Sequence, residues 1–239
     1  MISCALGIFY GCGGGPSNSV ALPPRVLLYS FSTFAIASVP AQLAILTTKL
    51  QGWQYDVEES SDPARFTDTN LAKYAAVAMV NTCFFPFGSG ASGVPEAEAL
   101  QRFMTNGGGV FGTHCADVTY QSANPPALYN ELIGGRANNG FFEGASTCRK
   151  VGDHPTTMGL PDTFDYVGNL DNVDFIAPSS VVLVKCKWAD GTEVPVSWVR
   201  TEGLGRVFYT DFGKEDVDLG DATVGDGHIM PGLGWVLRR

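Results

Sequence analysis

The sequence predicts a doubly wound α/β domain whose mostly parallel sheet has an antiparallel extension in the C-terminal half. Short apolar runs alternate with amphipathic helical segments from residue 25 to about residue 133, which is the pattern of a parallel sheet covered on both faces by helices. After Gly140 the helical segments give way to strand-like runs separated by turns, as in an antiparallel sheet. The length of 239 residues and the hydrophobic content of 45% suit one domain with a sizeable core.

Strands and helices alternate through the first half of the chain. Val39, Leu43, Leu46 and Leu50 share one face of the first helix, and Pro95 opens the third. The predicted strands are residues 25–30, 54–58, 75–81 and 110–114, and the predicted helical segments are residues 38–50, 66–71, 95–106 and 126–133.

The second half is predicted to consist mainly of short strands. These are residues 146–151, 181–188, 194–200 and 206–210, followed by a final helix over residues 228–237. Neither an internal repeat nor a second domain is visible, so residues 24–239 are predicted to form one domain.

The N-terminal 23 residues are predicted to be a leader and a flexible tether. Residues 1–12 are apolar but too short to cross a bilayer, and they resemble the h-region of a signal peptide. The Gly/Ser-rich stretch after Cys12 resembles the tether of a bacterial lipoprotein, with Cys12 as the lipidated residue, although no Lys or Arg precedes it. We therefore expect an exported periplasmic or cell-envelope protein that touches a membrane only through this anchor. The alternative is a cytoplasmic protein with a disordered N-terminal tail.

Charge and cysteine content narrow the possible partners. The net charge is −9 and no Lys/Arg-rich run is present, which argues against nucleic acid and anionic membrane surfaces and favours a neutral or cationic small ligand. The four cysteines outside the leader show no C-x-x-C spacing, so neither a metal site nor a cofactor is predicted. In an exported protein they could form disulfides, with the pairing open. These cysteines are Cys83, Cys115, Cys148 and Cys186.

The candidate site is the turn Gly112-Thr113-His114, because ligands of open α/β sheets collect beyond the carboxyl ends of the strands. His114 is a candidate general acid or base, and Asp117 could orient it or bind hydroxyl groups. In the alternative, His114 is a structural histidine and Asp117 caps the next helix. His154 and His228 are predicted to be structural. The candidate substrate-binding residues are Asn81, Thr113, Tyr120 and Lys214.

Several phrases, in their order and spacing, resemble the ThuA-like (trehalose utilisation) family of the class I glutamine amidotransferase-like superfamily. The resemblance runs from about residue 25 to residue 235. It implies a flavodoxin-like three-layer α/β/α sandwich, a link to sugar utilisation, and a carbohydrate as the small-molecule partner. The phrases are DPARFTD (62–68) with LAKY (71–74), GGGVFGTH (107–114), DHPT (153–156) with GLP (159–161), and PVSW (195–198) with GRVFYT (205–210).

The resemblance also implies what the site lacks. His114 stands where amidotransferases carry their nucleophilic Cys, Cys115 is offset by one residue, and no late His-x-Glu pair follows, so glutaminase activity is not expected. Three polar family positions are changed. Ala35-Ile36 replace an Arg-His pair, Gly168-Asn169 replace an Asp-Glu pair, and Lys214 replaces a His.

Two function hypotheses follow from these observations. In the first, the protein acts on or binds a carbohydrate in a crevice around His114. In the second, it is a catalytically degenerate carbohydrate-binding or structural domain, in which Phe84, Phe85 and Phe87 either stack against a sugar or pack their loop on the domain. A redox protein using Cys83 and Cys115 is a third idea.

Overall fold

The structure, a computed structural model, describes residues 24–87, 94–123 and 126–239. The predicted leader, tether and lipidated Cys12 lie outside these residues. None of the helices in the described residues is long and apolar enough to cross a membrane. The strands are β1 (Arg25–Tyr29), β2 (Asp56–Ser60), β3 (Ala76–Val80), β4 (Gly109–Thr113), β5 (Gly135–Lys150), β6 (Thr163–Ile176), β7 (Val181–Lys187), β8 (Glu193–Glu202) and β9 (Gly205–Thr210). The helices are α1 (Val39–Gly52), α2 (Asp68–Leu71), α3 (Val94–Thr105), α4 (Leu128–Ile133), α5 (Asp216–Gly220) and α6 (Met230–Val236).

The described strands form a single mixed sheet in the order β2-β1-β3-β4-β9-β8-β7-β5-β6. Strands β2, β1, β3, β4 and β9 pair in parallel. Strands β9, β8, β7, β5 and β6 pair antiparallel. The antiparallel half is as large as the parallel half, so the sheet is mixed rather than mostly parallel. Strand β9 belongs to both halves and joins them.

Two hydrophobic layers sandwich the parallel half. Strands β1, β3 and β4 are buried almost throughout, as expected when helices cover both faces of a sheet. Alternate side chains of β1 point to opposite layers, with Leu28 packed in the layer of α1 and α6 and Leu27 in the layer of α2, α3 and α4. These strands lie within two residues of their predicted positions.

The second half contains a long strand that the sequence pattern does not predict. Strand β6 pairs with β5 along most of its length and forms one edge of the sheet. Its segment TFDYVGNLDNVDFI contains Gly, Asn and Asp at positions where apolar alternation would mark a strand, and these residue types are depleted in strands. The first half of β5 also contains Gly and Asn, and this strand begins at Gly135, eleven residues before the predicted start.

The four cysteines of the domain form two disulfides. Cys83 pairs with Cys115 and Cys148 with Cys186. The first joins the loops that follow β3 and β4, and the second joins the neighbouring strands β5 and β7. The first therefore tethers two loops at one end of the parallel half, and the second cross-links two strands of the antiparallel half.

Candidate functional site

A cavity of about 450 Å³ opens at the carboxyl ends of the parallel strands. Its lining comes from the loops after β1, β3, β4 and β9 and from strands β5 and β6. This position agrees with the rule that ligands of such sheets bind beyond the strand ends. The lining residues are Phe34, Ala35, Ile36, Ala37, Ser38, Asn81, Phe84, His114, Cys115, Val118, Asn138, Phe141, Glu143, Asn169, Asp171, Lys214 and Glu215.

The backbone turns sharply where β3 and β4 reach the cavity. Asn81, Phe84 and His114 have positive φ angles of 47°, 60° and 41°, a left-handed conformation that is uncommon outside glycine. The Tyr209 hydroxyl supports the turn at His114 by donating a hydrogen bond of 2.6 Å to the His114 carbonyl. Strained residues of this kind concentrate at functional sites, and here they aim the side chains of Asn81 and His114 into the cavity.

A buried aspartate holds the imidazole of His114. The Nδ1 atom donates to Asp211 Oδ1 at 3.0 Å, and Asp171 Oδ2 lies 3.6 Å from the same nitrogen. Asp211 is itself held, because its Oδ2 accepts a 2.6 Å hydrogen bond from the Asp171 backbone N–H. Within the described residues no hydrogen bond uses Nε2, so this nitrogen is left for a ligand. The orienting contact expected from Asp117 is made instead by Asp211.

The carboxylates control the protonation of His114. Burial alone lowers the pKa of His114, but Asp171 and Asp211 outweigh burial and raise the pKa to about 9. For Asp171, burial raises the pKa to about 7 against the opposing charge of His114. The two carboxylates therefore favour the protonated form of the imidazole, and burial favours the protonated form of Asp171.

Asp117 lies behind the cavity rather than in it. The residue is fully buried, does not line the cavity, and neither carboxylate oxygen has a hydrogen-bond partner within the described residues. Burial, with Asp171 and Asp211 adding to it, raises the pKa of Asp117 well above its usual range. Asp117 is therefore packed under the site, out of hydrogen-bonding contact with His114.

The other predicted residues divide into two groups. Asn81 and Lys214 line the cavity together with His114, whereas Thr113 and Tyr120 are buried outside it. The amide nitrogen of Asn81 donates to Gln42 Oε1 at 2.6 Å and to the Gly213 carbonyl at 3.0 Å. The structure therefore brings together His114, Asn81 and Lys214 and leaves Asp117, Thr113 and Tyr120 outside.

The walls of the cavity are apolar and partly aromatic. Phe34 and Phe141 line it with about half of their surface exposed, and Phe84 packs edge-to-face on Phe34. Of the two other phenylalanines in the same loop, Phe87 is buried against Phe66 and Tyr129, and Phe85 packs on Tyr120. Only Phe84 of these three reaches the cavity, and it does not fill it.

The sequence does not predict two residues of the site, Asp211 and Asp171. Asp211 directly follows β9, so the rule that ligands gather at strand ends could have identified it once β9 was placed beside β4. Asp171 lies in the middle of β6, a strand that the sequence pattern does not predict. No local signal marks it, because its pairing with β5 brings it to the site.

The comparisons with known proteins agree with this architecture. The family model for trehalose utilisation, ThuA, matches residues 25–236. The chain belongs to the ThuA family. A ThuA-like protein from Bacteroides uniformis is similar over 93% of this chain and 95% of that chain, with 18% identity and a TM-score of 0.69. Another from Parabacteroides merdae covers 90% of both chains, with 17% identity and a TM-score of 0.64.

The same fold also occurs within a larger protein. A β-galactosidase from Bacillus circulans sp. alkalophilus matches 90% of this chain but only 30% of its own length, with 18% identity and a TM-score of 0.57. At these identities the likeness concerns the fold alone. No curated protein matches the sequence.

The departures from the ThuA pattern converge on the cavity. Ala35, Ile36, Asn169 and Lys214 all line it, although they come from three separate parts of the chain. The resemblance implies charged or ionisable groups at these positions. Of these four residues, Ala35 and Ile36 give the wall an apolar part, beside a His114 that has a carboxylate partner.

Proposed function

We propose that the protein binds a small carbohydrate in the cavity around His114, and that His114, oriented by Asp211, transfers a proton to or from it. The observation that carries the proposal is the buried contact between Nδ1 and Asp211, which leaves Nε2 for a ligand. A carboxylate that fixes one imidazole nitrogen while the other works on the substrate is a recurring acid–base arrangement.

The lining of the cavity supports a sugar as the ligand. Asn81, Asn169 and Lys214 offer hydrogen-bonding groups, and Phe34 and Phe141 offer aromatic surface. A sugar presents the complementary pattern of hydroxyl groups and apolar C–H faces. The volume of about 450 Å³ lies within the range of roughly 300–1,000 Å³ that is typical of small-molecule sites. The trehalose utilisation family model points to the same substrate class.

The topology also supports this location. We infer a flavodoxin-like three-layer sandwich for the parallel half, since its order β2-β1-β3-β4-β9 corresponds to the 2-1-3-4-5 order of such sheets. Strand β2 lies on one side of β1, whereas β3, β4 and β9 follow on the other side. Ligands of this fold bind outside the switch point between β1 and β3. The loops after these two strands supply Phe34, Ile36, Asn81 and Phe84 to the cavity.

The second candidate is a domain that binds a carbohydrate without transforming it. Ala35 and Ile36 favour this candidate, because they put apolar side chains where the family resemblance implies an Arg-His pair. Binding requires hydrogen bonds and apolar contact but no proton transfer.

A thermal-shift screen of the full chain with trehalose, glucose and 3-keto-sugars tests the proposal. At about 100 times the dissociation constant, a ligand should raise Tm by roughly 5–10 °C. We expect His114→Gln to abolish most of this shift, since Gln cannot reproduce the imidazole held by Asp211. NMR of the incubated sugar would show product with the wild type and none with His114→Gln.

The matched control is His154→Gln, which changes a histidine outside the cavity lining. It should keep both the shift and the product. Equal shifts for the wild type and His114→Gln would overturn the role of His114. A shift that depends on His114 without any product would favour the binding-only domain.

We also propose that the protein is exported and is anchored through Cys12. The two disulfides support export, because disulfides persist in oxidising compartments and are rare in the cytosol. The proposal predicts that all four cysteines of the domain are oxidised in the protein isolated from cells.

A further inference from the structure

Three potential metal ligands meet at the floor of the cavity. His114 Nδ1, one oxygen of Asp171 and one oxygen of Asp211 all lie within 4.8 Å of one another, and Nδ1 is 3.6 Å and 3.0 Å from the two oxygens. Bonds of roughly 2.0–2.2 Å to one ion place neighbouring ligand atoms about 3.0–3.4 Å apart. We propose that these residues bind one divalent transition-metal ion. The residues are 57 and 40 positions apart in sequence, which is why spacing predicts no metal site.

The charge around the three ligands favours a cation. Asp171 lines the cavity, and Asp211 is buried beside it. Glu143 and Glu215 also line the cavity, where Lys214 and protonated His114 are the opposing cationic side chains among the described lining residues. A cavity with an excess of acidic groups concentrates cations, and two buried carboxylates that share a single imidazole leave negative charge that a metal ion would compensate.

Unpaired oxygens at the site provide a separate argument. Asp171 Oδ2 and Asn81 Oδ1 are both buried without a hydrogen-bond partner within the described residues, and both residues line the cavity. Buried polar atoms are normally satisfied, so each exception requires an explanation. An ion at the floor would satisfy Asp171 Oδ2 directly, and Asn81 Oδ1 could accept a hydrogen bond from a water on the ion.

The ligand set indicates the class of ion. One imidazole and two carboxylates suit Zn²⁺ or Mn²⁺ better than Ca²⁺, which takes oxygen ligands, or Cu⁺, which takes sulfur. Two of the three ligands, His114 and Asp171, line the open cavity, so an ion here would keep coordination positions for water or a ligand, as in catalytic metal sites. This inference goes beyond the proposed function: the ion takes the place of the Nδ1 proton that His114 otherwise donates to Asp211, this proton is released to solvent, and Nε2–H remains a donor to the cavity.

Titration of the EDTA-treated full chain with Zn²⁺ or Mn²⁺ alone, followed by isothermal calorimetry and Mn²⁺ electron paramagnetic resonance, tests the site. We expect saturable binding of about one ion per chain. Asp171→Asn and His114→Gln should each weaken binding by at least about tenfold, since each removes one of three ligands. Circular dichroism would confirm that the variants are folded.

Asp165→Asn is the matched control, because it makes the same change at an exposed position of the same strand. It should bind like the wild type. Absence of saturable binding to the wild type, or equal binding by folded Asp171→Asn, would overturn the proposal. The sugar-dependent Tm shift is measured separately in EDTA, so the failure of either proposal can be recognised independently of the other.

Discussion

His228 is a fully buried histidine that the fold keeps neutral. Its Nδ1 donates to the Thr156 carbonyl and its Nε2 lies against the Ser197 hydroxyl, both at 2.8 Å. Burial lowers its pKa to about 4. In the unfolded chain the imidazole has an ordinary pKa near 6.5. Between this pH and about pH 4, the imidazole is therefore protonated in the unfolded state and largely neutral in the folded state. This residue therefore makes the protein less stable as the pH falls from 6.5 towards 4.

Replacing this histidine should remove that pH dependence. His228→Gln loses packing and a hydrogen bond, so we expect it to be less stable than the wild type at pH 7. The gap in the free energy of unfolding should narrow by roughly 2 kcal/mol between pH 7 and pH 4.5. Urea denaturation at both pH values measures the gap. A gap that does not change with pH, or one that narrows equally for His154→Gln, would contradict the prediction.

Site residues that directly follow a strand can be identified from the sequence, whereas their partners from distant strands cannot. His114 could be identified because it follows a strongly apolar strand, and its neighbours Asn81 and Lys214 because they also follow strands. Asp117 is close to His114 in sequence but lies behind the cavity, because the short helical turn at residues 114–117 directs it into the protein. The carboxylates that contact His114 come from β6 and the end of β9, so only the folded sheet reveals them.

Helix α6 packs against the sheet through a glycine. A Cβ at Gly232 would lie 2.3 Å from the ring of Phe208, a fully buried side chain. Helix propensity alone would make Gly→Ala favourable by roughly 1 kcal/mol. The steric overlap is the larger effect, since overpacking costs about 1–3 kcal/mol. We expect Gly232→Ala to lower the free energy of unfolding, measured by urea denaturation.

Gly234 in the same helix provides the control. A Cβ there would lie 3.8 Å from Trp53, an ordinary contact distance, so Gly234→Ala should be neutral or slightly stabilising. If the two variants had equal stability, propensity rather than close packing would govern this helix, and the explanation would fail.

Whole elements differ in how far sequence predicts them. Strands β1, β3 and β4 are buried on both faces, so each is a continuous apolar run that is visible without any partner. Strand β6 is stabilised by its pairing with β5 and by buried side chains such as Leu170. Its residues Asn169 and Asp171 line the cavity. A strand whose polar residues face a site lacks the alternation by which strands are recognised.

The two halves of the molecule share one sheet, and each half carries one disulfide. The Cys83–Cys115 bond joins the loops that carry Asn81 and His114, whereas the Cys148–Cys186 bond lies between β5 and β7. The sequence separations of 32 and 38 residues are similar, so both bonds should restrict the unfolded chain to a similar degree. What distinguishes them is their distance from the cavity, since Cys115 lines it and Cys148 and Cys186 do not.

Removing each disulfide separately should therefore have the same effect on stability and different effects on the site. We expect the double variants Cys83→Ala/Cys115→Ala and Cys148→Ala/Cys186→Ala each to lose about 2–4 kcal/mol in the free energy of unfolding. Only the first should weaken ligand binding in the cavity, because it frees the loops that hold Asn81 and His114. When the full chain isolated from cells is alkylated without reductant, all four wild-type cysteines should remain unmodified because they are in disulfides, as expected for an exported protein. Free thiols at these positions would argue against export, and equal loss of binding in both double variants would show that the cavity depends on overall stability rather than on its own disulfide.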